Sequence, residues 1–300
     1  MPSELLTLNH ELMSSKFYFD LHLSNKDYHA MKDKVSNSML SDMAKSPAYC
    51  FYNMCNTPDS KTQEAFDFGS LVHCLILEEE KLNDEFFIYQ KPDRRTKQGK
   101  AFVKEKLEPA QEQGLICIND RTYNKAIALR ARVWGHKQAN ALINNSGYTE
   151  VSFFGYDDET GQELKWRCDK IFTDKKGRGW IVDLKTSSNA SPEGFAKSCA
   201  NFNYHMQAAY YLDNCNRFPG LENKFKGFIF IVVEKEAPFN VACYQLDLDS
   251  IELGRQKYQD NLQLFAQCSE AGFWPSYNYD FAKSDYQIEE ISLPRWAFYD

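Results

Sequence analysis

Three short stretches rich in aromatic and β-branched residues follow one another in the second half of the chain, separated by turn-forming residues. They span Thr149–Tyr156, Glu163–Thr173 and Trp180–Thr186. The connections Asp157–Gly161 and Asp174–Gly179 contain Asp and Gly, which are typical of hairpin loops. The pattern therefore predicts three strands that pair in antiparallel order.

Helical patterns surround these strands, and two further strands are predicted at Gly227–Glu234 and Val241–Leu248. The predicted helices are Met39 to about Ser46, Phe66–Leu77, Arg121–Ile143, Pro192–Asn214 and about Ser250–Ala271. This order predicts an α/β (α+β) fold, in which a central mixed sheet is flanked by helices and preceded by a helical N-terminal region. Since no linker interrupts the 300 residues, we expect one domain: a helical part to about 146, a sheet core at 147–271 and a tail at 272–300.

Charge and cysteine content limit the class of protein. A net charge of −7 argues against a nucleic-acid partner unless basic residues are concentrated on one track. Nine cysteines without a C-x-x-C pair predict reduced, mostly buried thiols. Because the sequence shows neither an apolar run long enough for a membrane nor a signal peptide, we expect a cytoplasmic protein with no membrane partner.

The chemistry is concentrated at the ends of two predicted strands. Asp169 lies in the middle strand, while Asp183 and Lys185 share one face at the end of the next. Converging carboxylates suit Mg²⁺, with Mn²⁺ as a substitute, and a nearby lysine can orient the nucleophile or stabilise the leaving anion. Alone, however, the D-x-K pattern would indicate no more than a surface ion pair.

The sequence around these residues is more specific. The stretch Trp180–Thr186 runs from an apolar strand into the charged pair, and it resembles the signature of PD-(D/E)xK nucleases. Downstream, Gln207 and Tyr211 match the Q-x-x-x-Y element of RecB-like nucleases, where a spacing of four puts both on one helix face. Upstream, Gly69 to His73 matches their G-x-x-x-H element.

Further matches are similar to the nuclease domain of the exonuclease VIII (RecE) family. They include Tyr28-His29, Ser36 to Leu40, Phe68-Gly69-Ser70, Glu150-Val151-Ser152, Trp274-Pro275 and Leu293 to Trp296. The resemblance implies a PD-(D/E)xK restriction-endonuclease-like core and a phage or prophage exonuclease that degrades linear double-stranded DNA from 5′ to 3′. It also implies 3′ single-stranded tails for recombination, a RecT-like single-strand annealing partner, and a ring-shaped homo-oligomer, with a tetramer favoured over a trimer.

The same resemblance implies a role for each matching residue. By the resemblance, the metal is bound by Asp169, Asp183, the Leu184 carbonyl and His73. Lys185 activates water. Glu150 matches an acidic position at the edge of the site, while Gln207 and Tyr211 position the scissile strand or support Lys185. Phosphate contact is a weaker assignment, for which a structural role is the simpler interpretation; its candidates are Arg167, Thr186 and Ser187.

A basic segment from Lys91 to Lys106 is predicted to begin as a loop and become helical. A solvated surface is the simplest interpretation. The functional alternative is an arm that grips DNA, with Arg94, Arg95 and Lys97 as the candidate contacts.

Two other functions stay open. One is a different RecB-like or Cas4-like nuclease, although the absence of a C-x-x-C pair near the C-terminus argues against an iron–sulfur cluster. The other is a non-catalytic DNA-binding or assembly module with the same fold.

Overall fold

The computed structural model describes residues 8, 13–222 and 224–298. Within these residues, six strands form one sheet, in which each pairs with the next of the six along the chain. The strands are β1 (Tyr18–Asp20), β4 (Gly147–Asp157), β5 (Gln162–Thr173), β6 (Gly179–Ser187), β7 (Phe225–Glu234) and β8 (Val241–Gln245). The pair β6–β7 is parallel and the other neighbours are antiparallel, which confirms the predicted mixed sheet and the antiparallel pairing of its three central strands.

Helices cover both faces of the sheet and bury two apolar cores. One face packs against α2 (Asn37–Met43), α3 (Pro47–Cys55), α10 (Pro192–Asn201), α11 (Tyr204–Arg217) and α12 (Leu248–Ala271). The other face packs against α4 (Ser60–Leu77), α8 (Asp120–Gly135) and α9 (Lys137–Ile143). The structure therefore confirms the predicted α/β class with flanking helices.

Two predicted helices are each interrupted. The predicted helix Pro192–Asn214 is divided between α10 and α11, because Asn203 adopts the left-handed conformation with φ 57°. The predicted helix Arg121–Ile143 ends at Gly135, and His136 caps the first turn of α9 through its side chain. Asn tolerates the left-handed region better than most residues, so the first break needs no glycine.

A small insertion separates α4 from α8. It contains a 3₁₀ turn at Glu79–Lys81, then α5 (Leu82–Glu85), β2 (Phe86–Tyr89), α6 (Lys97–Phe102), a π-helical turn at Val103–Leu107, α7 (Glu108–Glu112) and β3 (Ile116–Asn119). Strands β2 and β3 form a separate parallel pair. The basic segment lies here, and it begins as a loop and becomes helical at Lys97, as predicted.

The remaining elements are short: α1 (Asn25–Ala30), the pair β9 (Tyr279–Asp280) and β10 (Asp285–Tyr286), and a 3₁₀ turn at Arg295–Phe298. All nine cysteines are free, as predicted. Among the described residues, no helix has the length and apolar character needed to cross a lipid bilayer.

Candidate active site

Helix α4 carries His73 to the point where β5 and β6 diverge. The Nε2 atom of His73 lies 2.8 Å from the carbonyl oxygen of Leu184. The N–H of the same residue, Leu184, donates to Asp169 Oδ2 at 2.7 Å. The backbone at Leu184 therefore joins the histidine of α4 to the aspartate of β5.

Glu150 completes a compact group with these residues. His73 Nδ1 lies 3.7 Å from Glu150 Oε1 and 3.4 Å from Asp169 Oδ2. Among the described residues, these three side chains offer ligand atoms that all lie within 4.8 Å of one another. Glu150, which the resemblance placed at the edge of the site, thus lies within this group.

The backbone at Glu150 has a strained conformation, which places its side chain beside His73. Its φ is 48°, in the left-handed region that a glutamate rarely adopts. On β4, Tyr148 packs against the same core as Val151 and Phe153, so the alternation of side chains slips by one residue at Glu150. Strain of this kind persists where surrounding structure imposes it, often at functional sites.

Asp183 lies beside this group and has different partners. Gln207 on α11 donates from Nε2 to Asp183 Oδ1 at 2.8 Å, and Lys185 Nζ lies 2.8 Å from Oδ2. No described residue donates a hydrogen bond to the buried Oδ2, so the contact with Lys185 is an ion pair. Asp183 is only 2% exposed, so this oxygen is shielded from solvent.

Burial and neighbouring charges shift the pKa values of four groups in the site, namely Asp169, Asp183, His73 and Lys185. Burial raises the pKa of Asp169 above its ordinary value and the pKa of Asp183 to about 6. Burial lowers the pKa of His73, but the carboxylates of Asp169 and Glu150 outweigh it and raise that pKa to about 9. For Lys185, burial is likewise outweighed by Asp183, which raises the lysine pKa. The site is thus a desolvated carboxylate cluster that favours bound cations.

A cavity of about 250 Å³ opens onto the cluster. Tyr211 on α11 and Arg167 on β5 line it together with His73, Glu150 and Asp169. Arg167 is already engaged: it donates to Ser152 Oγ at 2.8 Å and to the Leu23 carbonyl at 2.9 Å, and it stacks over Tyr28. Its contacts support the wall of the cavity.

A family model describes most of this chain. The model of the PDDEXK-like domain of unknown function (DUF3799) matches residues 36–285. The chain belongs to this family. Its PDDEXK-like character agrees with the order of His73, Asp169, the Asp183–Lys185 pair and Gln207 along the fold.

A solved structure with a similar fold covers nearly the whole chain. A Eubacterium rectale protein, provisionally named as an exonuclease, superposes with a TM-score of 0.58 at 15% identity, covering 93% of this chain and 99% of its own. The protein SSO0001 matches with a TM-score of 0.31 at 16% identity, over 68% of this chain and 86% of its own. No curated protein sequence matches the chain.

Nucleases of the PDDEXK-like class typically require a divalent metal, and the residues present fit one. Carboxylate oxygens and an imidazole are suitable ligands for such an ion. The buried Asp183 Oδ2, which pairs with Lys185 and accepts no hydrogen bond from the described residues, lies beside the cluster. Burial raises the pKa values of Asp169 and Asp183, and a metal ion beside these carboxylates would favour their ionised forms.

The structure does not bring the other predicted DNA contacts to the cavity. Arg94 and Lys97 lie exposed on the insertion, and Arg95 pairs with Asp93 at 3.0 Å. Thr186 follows Lys185 on β6 and so points to the opposite face of the sheet. The Ser187 hydroxyl donates to the Asn189 carbonyl at 3.0 Å, which is a structural role.

Sequence reasoning missed several residues that line the cavity. Glu78 and Lys81, paired at 2.7 Å, reach it from the end of α4, and Glu85 reaches it from α5. Burial raises the pKa of Glu85. The acidic run after Leu77 was visible in the sequence, but nothing there showed that the chain folds back toward His73.

Proposed function

We propose that this protein is a Mg²⁺-dependent exodeoxyribonuclease of the RecE type. It would degrade one strand of linear double-stranded DNA from 5′ to 3′ and leave 3′ single-stranded tails for recombination by strand annealing. The observation that carries the proposal is the convergence of His73, Glu150 and Asp169 beside the Asp183–Lys185 pair. The exonuclease name of the Eubacterium rectale protein supports the same activity.

In this proposal, His73, Glu150, Asp169, Asp183 and the Leu184 carbonyl hold Mg²⁺, for which Mn²⁺ can substitute. When bound, such an ion lowers the pKa of water and neutralises charge on the phosphate undergoing attack. The all-oxygen character of the set, apart from one imidazole, favours these hard cations over softer metals.

The chain's own residues supply orientation and charge. The Lys185 ammonium lies at the end of β6, where it can donate to the attacking water or to a phosphate oxygen. Gln207 holds the Asp183 carboxylate that pairs with this ammonium. Tyr211, with a buried ring and a position on the cavity wall, is suited to positioning the scissile strand.

In this proposal, the basic segment of the insertion between α4 and α8 binds the DNA. Arg94 and Lys97 are exposed there, and the insertion begins at Glu78 and Lys81 on the wall of the cavity. The positive charge of this segment would attract a polyanion despite the net charge of −7.

We further propose a ring-shaped homo-oligomer, a tetramer or a trimer, and a RecT-like annealing protein as partner. Exposed apolar side chains in the C-terminal tail support an interface between subunits that would cover them. Ile288 is 103% exposed and Ile291 is 88% exposed. Light scattering coupled to size-exclusion chromatography would measure the assembly directly, and a monomer would contradict the ring.

Digestion of a linear duplex labelled at one 5′ end or at one 3′ end tests the activity and its direction. With Mg²⁺, we expect loss of the 5′-labelled strand from its labelled end, while closed circular DNA and reactions with EDTA stay intact. Asp183→Ala should abolish digestion, whereas Asp158→Ala, at an exposed carboxylate in the β4–β5 turn, should not. Cleavage of closed circles would indicate an endonuclease, and equal activity in EDTA would exclude the metal site.

A further inference from the structure

Tyr204 faces the ammonium group of Lys185. The Lys185 Nζ atom lies over the Tyr204 ring, 4.9 Å from its centroid. An ammonium at this distance from an aromatic face is attracted by the negative potential of the ring. Tyr204 lies three residues before Gln207 and outside the Q-x-x-x-Y element.

Other aromatic rings hold Tyr204 in this place. Its ring centroid is 5.9 Å from that of Phe195 and 6.0 Å from that of Phe230. Phe195 and Phe230 are themselves buried in the core. The ring therefore has little freedom to leave Lys185.

The backbone at the start of α11 is equally constrained. Asn203 adopts the left-handed conformation, and its Oδ1 accepts a hydrogen bond from Lys257 on α12 at 2.6 Å. Gly254 lets α12 approach so closely that a Cβ there would lie 2.2 Å from the His205 carbonyl oxygen. Contacts from α12 on both sides of Tyr204 thus determine where its ring can lie.

We propose that Tyr204 is a positioning residue for Lys185, an inference that rests on the proposed nuclease function. A lysine ammonium has three donor hydrogens, and the ion pair with Asp183 engages one side of it. The ring face stabilises the positive charge without offering an acceptor atom. The remaining hydrogens of Lys185 therefore stay available for water or phosphate.

The ring face, and not the hydroxyl group, carries this role. Tyr204→Phe keeps the ring and should retain wild-type activity. Tyr204→Leu keeps an apolar side chain but removes the ring, and should lower kcat by about two- to thirtyfold with little change in KM. Phe265→Leu is the matched control, because it removes a ring from the same buried core at a place where that ring packs on Trp274.

Nuclear magnetic resonance tests the contact independently of nuclease activity. In protein labelled at lysine, the Hε protons of Lys185 should be shifted upfield by the ring, with the signal assigned through Lys185→Met. The shift should persist in Tyr204→Phe and Phe265→Leu and disappear in Tyr204→Leu. Thermal unfolding of each variant shows that it is folded.

The outcomes separate this inference from the proposed function. An unshifted Lys185 signal in the wild type, or equal kcat for Tyr204→Leu and wild type, would overturn the role of Tyr204. A loss of kcat in Phe265→Leu as large as that in Tyr204→Leu would show that the loss comes from general core packing and not from the contact with Lys185. If the wild type has no nuclease activity, the proposed function fails, while the resonance of Lys185 still decides whether Tyr204 holds it.

Discussion

Gln207 and Asp183, 24 residues apart, are joined by a hydrogen bond of 2.8 Å from the amide Nε2 to the carboxylate Oδ1. Both side chains are buried, so the bond determines which oxygen of Asp183 remains for other partners. That oxygen, Oδ2, faces Lys185. A helix on one face of the sheet thereby sets the orientation of the D-x-K pair at the strand end.

Removing the amide donor should disturb both stability and activity. In Gln207→Met, a side chain of similar length leaves Asp183 Oδ1 buried without its hydrogen bond, so we expect the free energy of unfolding to fall by about 1–3 kcal/mol. Digestion of linear duplex should slow in parallel. Urea unfolding measures the first effect, and Gln256→Met on the exposed face of α12 is the control. Wild-type stability in Gln207→Met would show that the bond contributes nothing.

At neutral pH, the buried carboxylate of Asp183 should lower the free energy of unfolding. Burial raises its pKa from 3.8 to about 6, so the native state holds this proton more tightly than the unfolded chain does. The protonated Asp183 side chain therefore contributes to the free energy of unfolding below pH 4. This contribution, about 3 kcal/mol, is lost as the pH rises through 6. Asp183→Asn removes this cost but also the ion pair with Lys185, so we expect an inactive variant that is about 1–2 kcal/mol more stable at pH 7.5.

Urea unfolding of Asp183→Asn and wild type in EDTA, at pH 4.5 and pH 7.5, measures this difference. The advantage of the variant should shrink at the lower pH, where wild-type Asp183 is protonated in the native state. Asp158→Asn, in an exposed turn, should show no such dependence. An advantage independent of pH would mean that charge burial at Asp183 is not its source.

The central strands were predictable because local pattern and long-range packing agree there. The prediction Glu163–Thr173 and the observed β5 differ by one residue, since turn formers on both sides limit the hairpin. The order of His73, Asp169, Asp183–Lys185 and Gln207 along the chain likewise pointed to one site.

The features that could not be predicted from the sequence depend on unusual backbone conformations and on contacts between distant segments. Neither Asn203 nor Glu150 is a glycine, yet both adopt positive φ, and each changes the direction of the chain. The parallel pairing of β2 with β3 joins segments about 30 residues apart and has no local signature. The place of Tyr204 over Lys185 follows from the break at Asn203 and so was equally hidden.

The strain at Glu150 predicts an unusual order of stability among its variants. Within a strand, Gly is normally less stable than Ala, because it loses more conformational freedom on folding. At φ 48° the order should reverse, with Glu150→Gly more stable than Glu150→Ala by about 1 kcal/mol. Thermal unfolding of the two variants tests this, with Gly and Ala at Thr149 on the same strand as the control pair. Both Glu150 variants should lose nuclease activity, since neither retains the carboxylate beside His73.

The basic insertion predicts how DNA affinity responds to salt. Each lost phosphate contact should reduce the slope of log affinity against log salt by about 0.9. Arg94→Gln with Lys97→Gln, in an Asp183→Asn background that prevents digestion, should therefore flatten the slope and weaken binding at low salt. Lys175→Gln with Lys176→Gln removes the same charge from the exposed turn before β6, at the opposite end of that strand from Lys185, and should leave the slope unchanged. Fluorescence anisotropy of a labelled duplex measures both pairs, and equal slopes for the two would show that the insertion does not grip DNA.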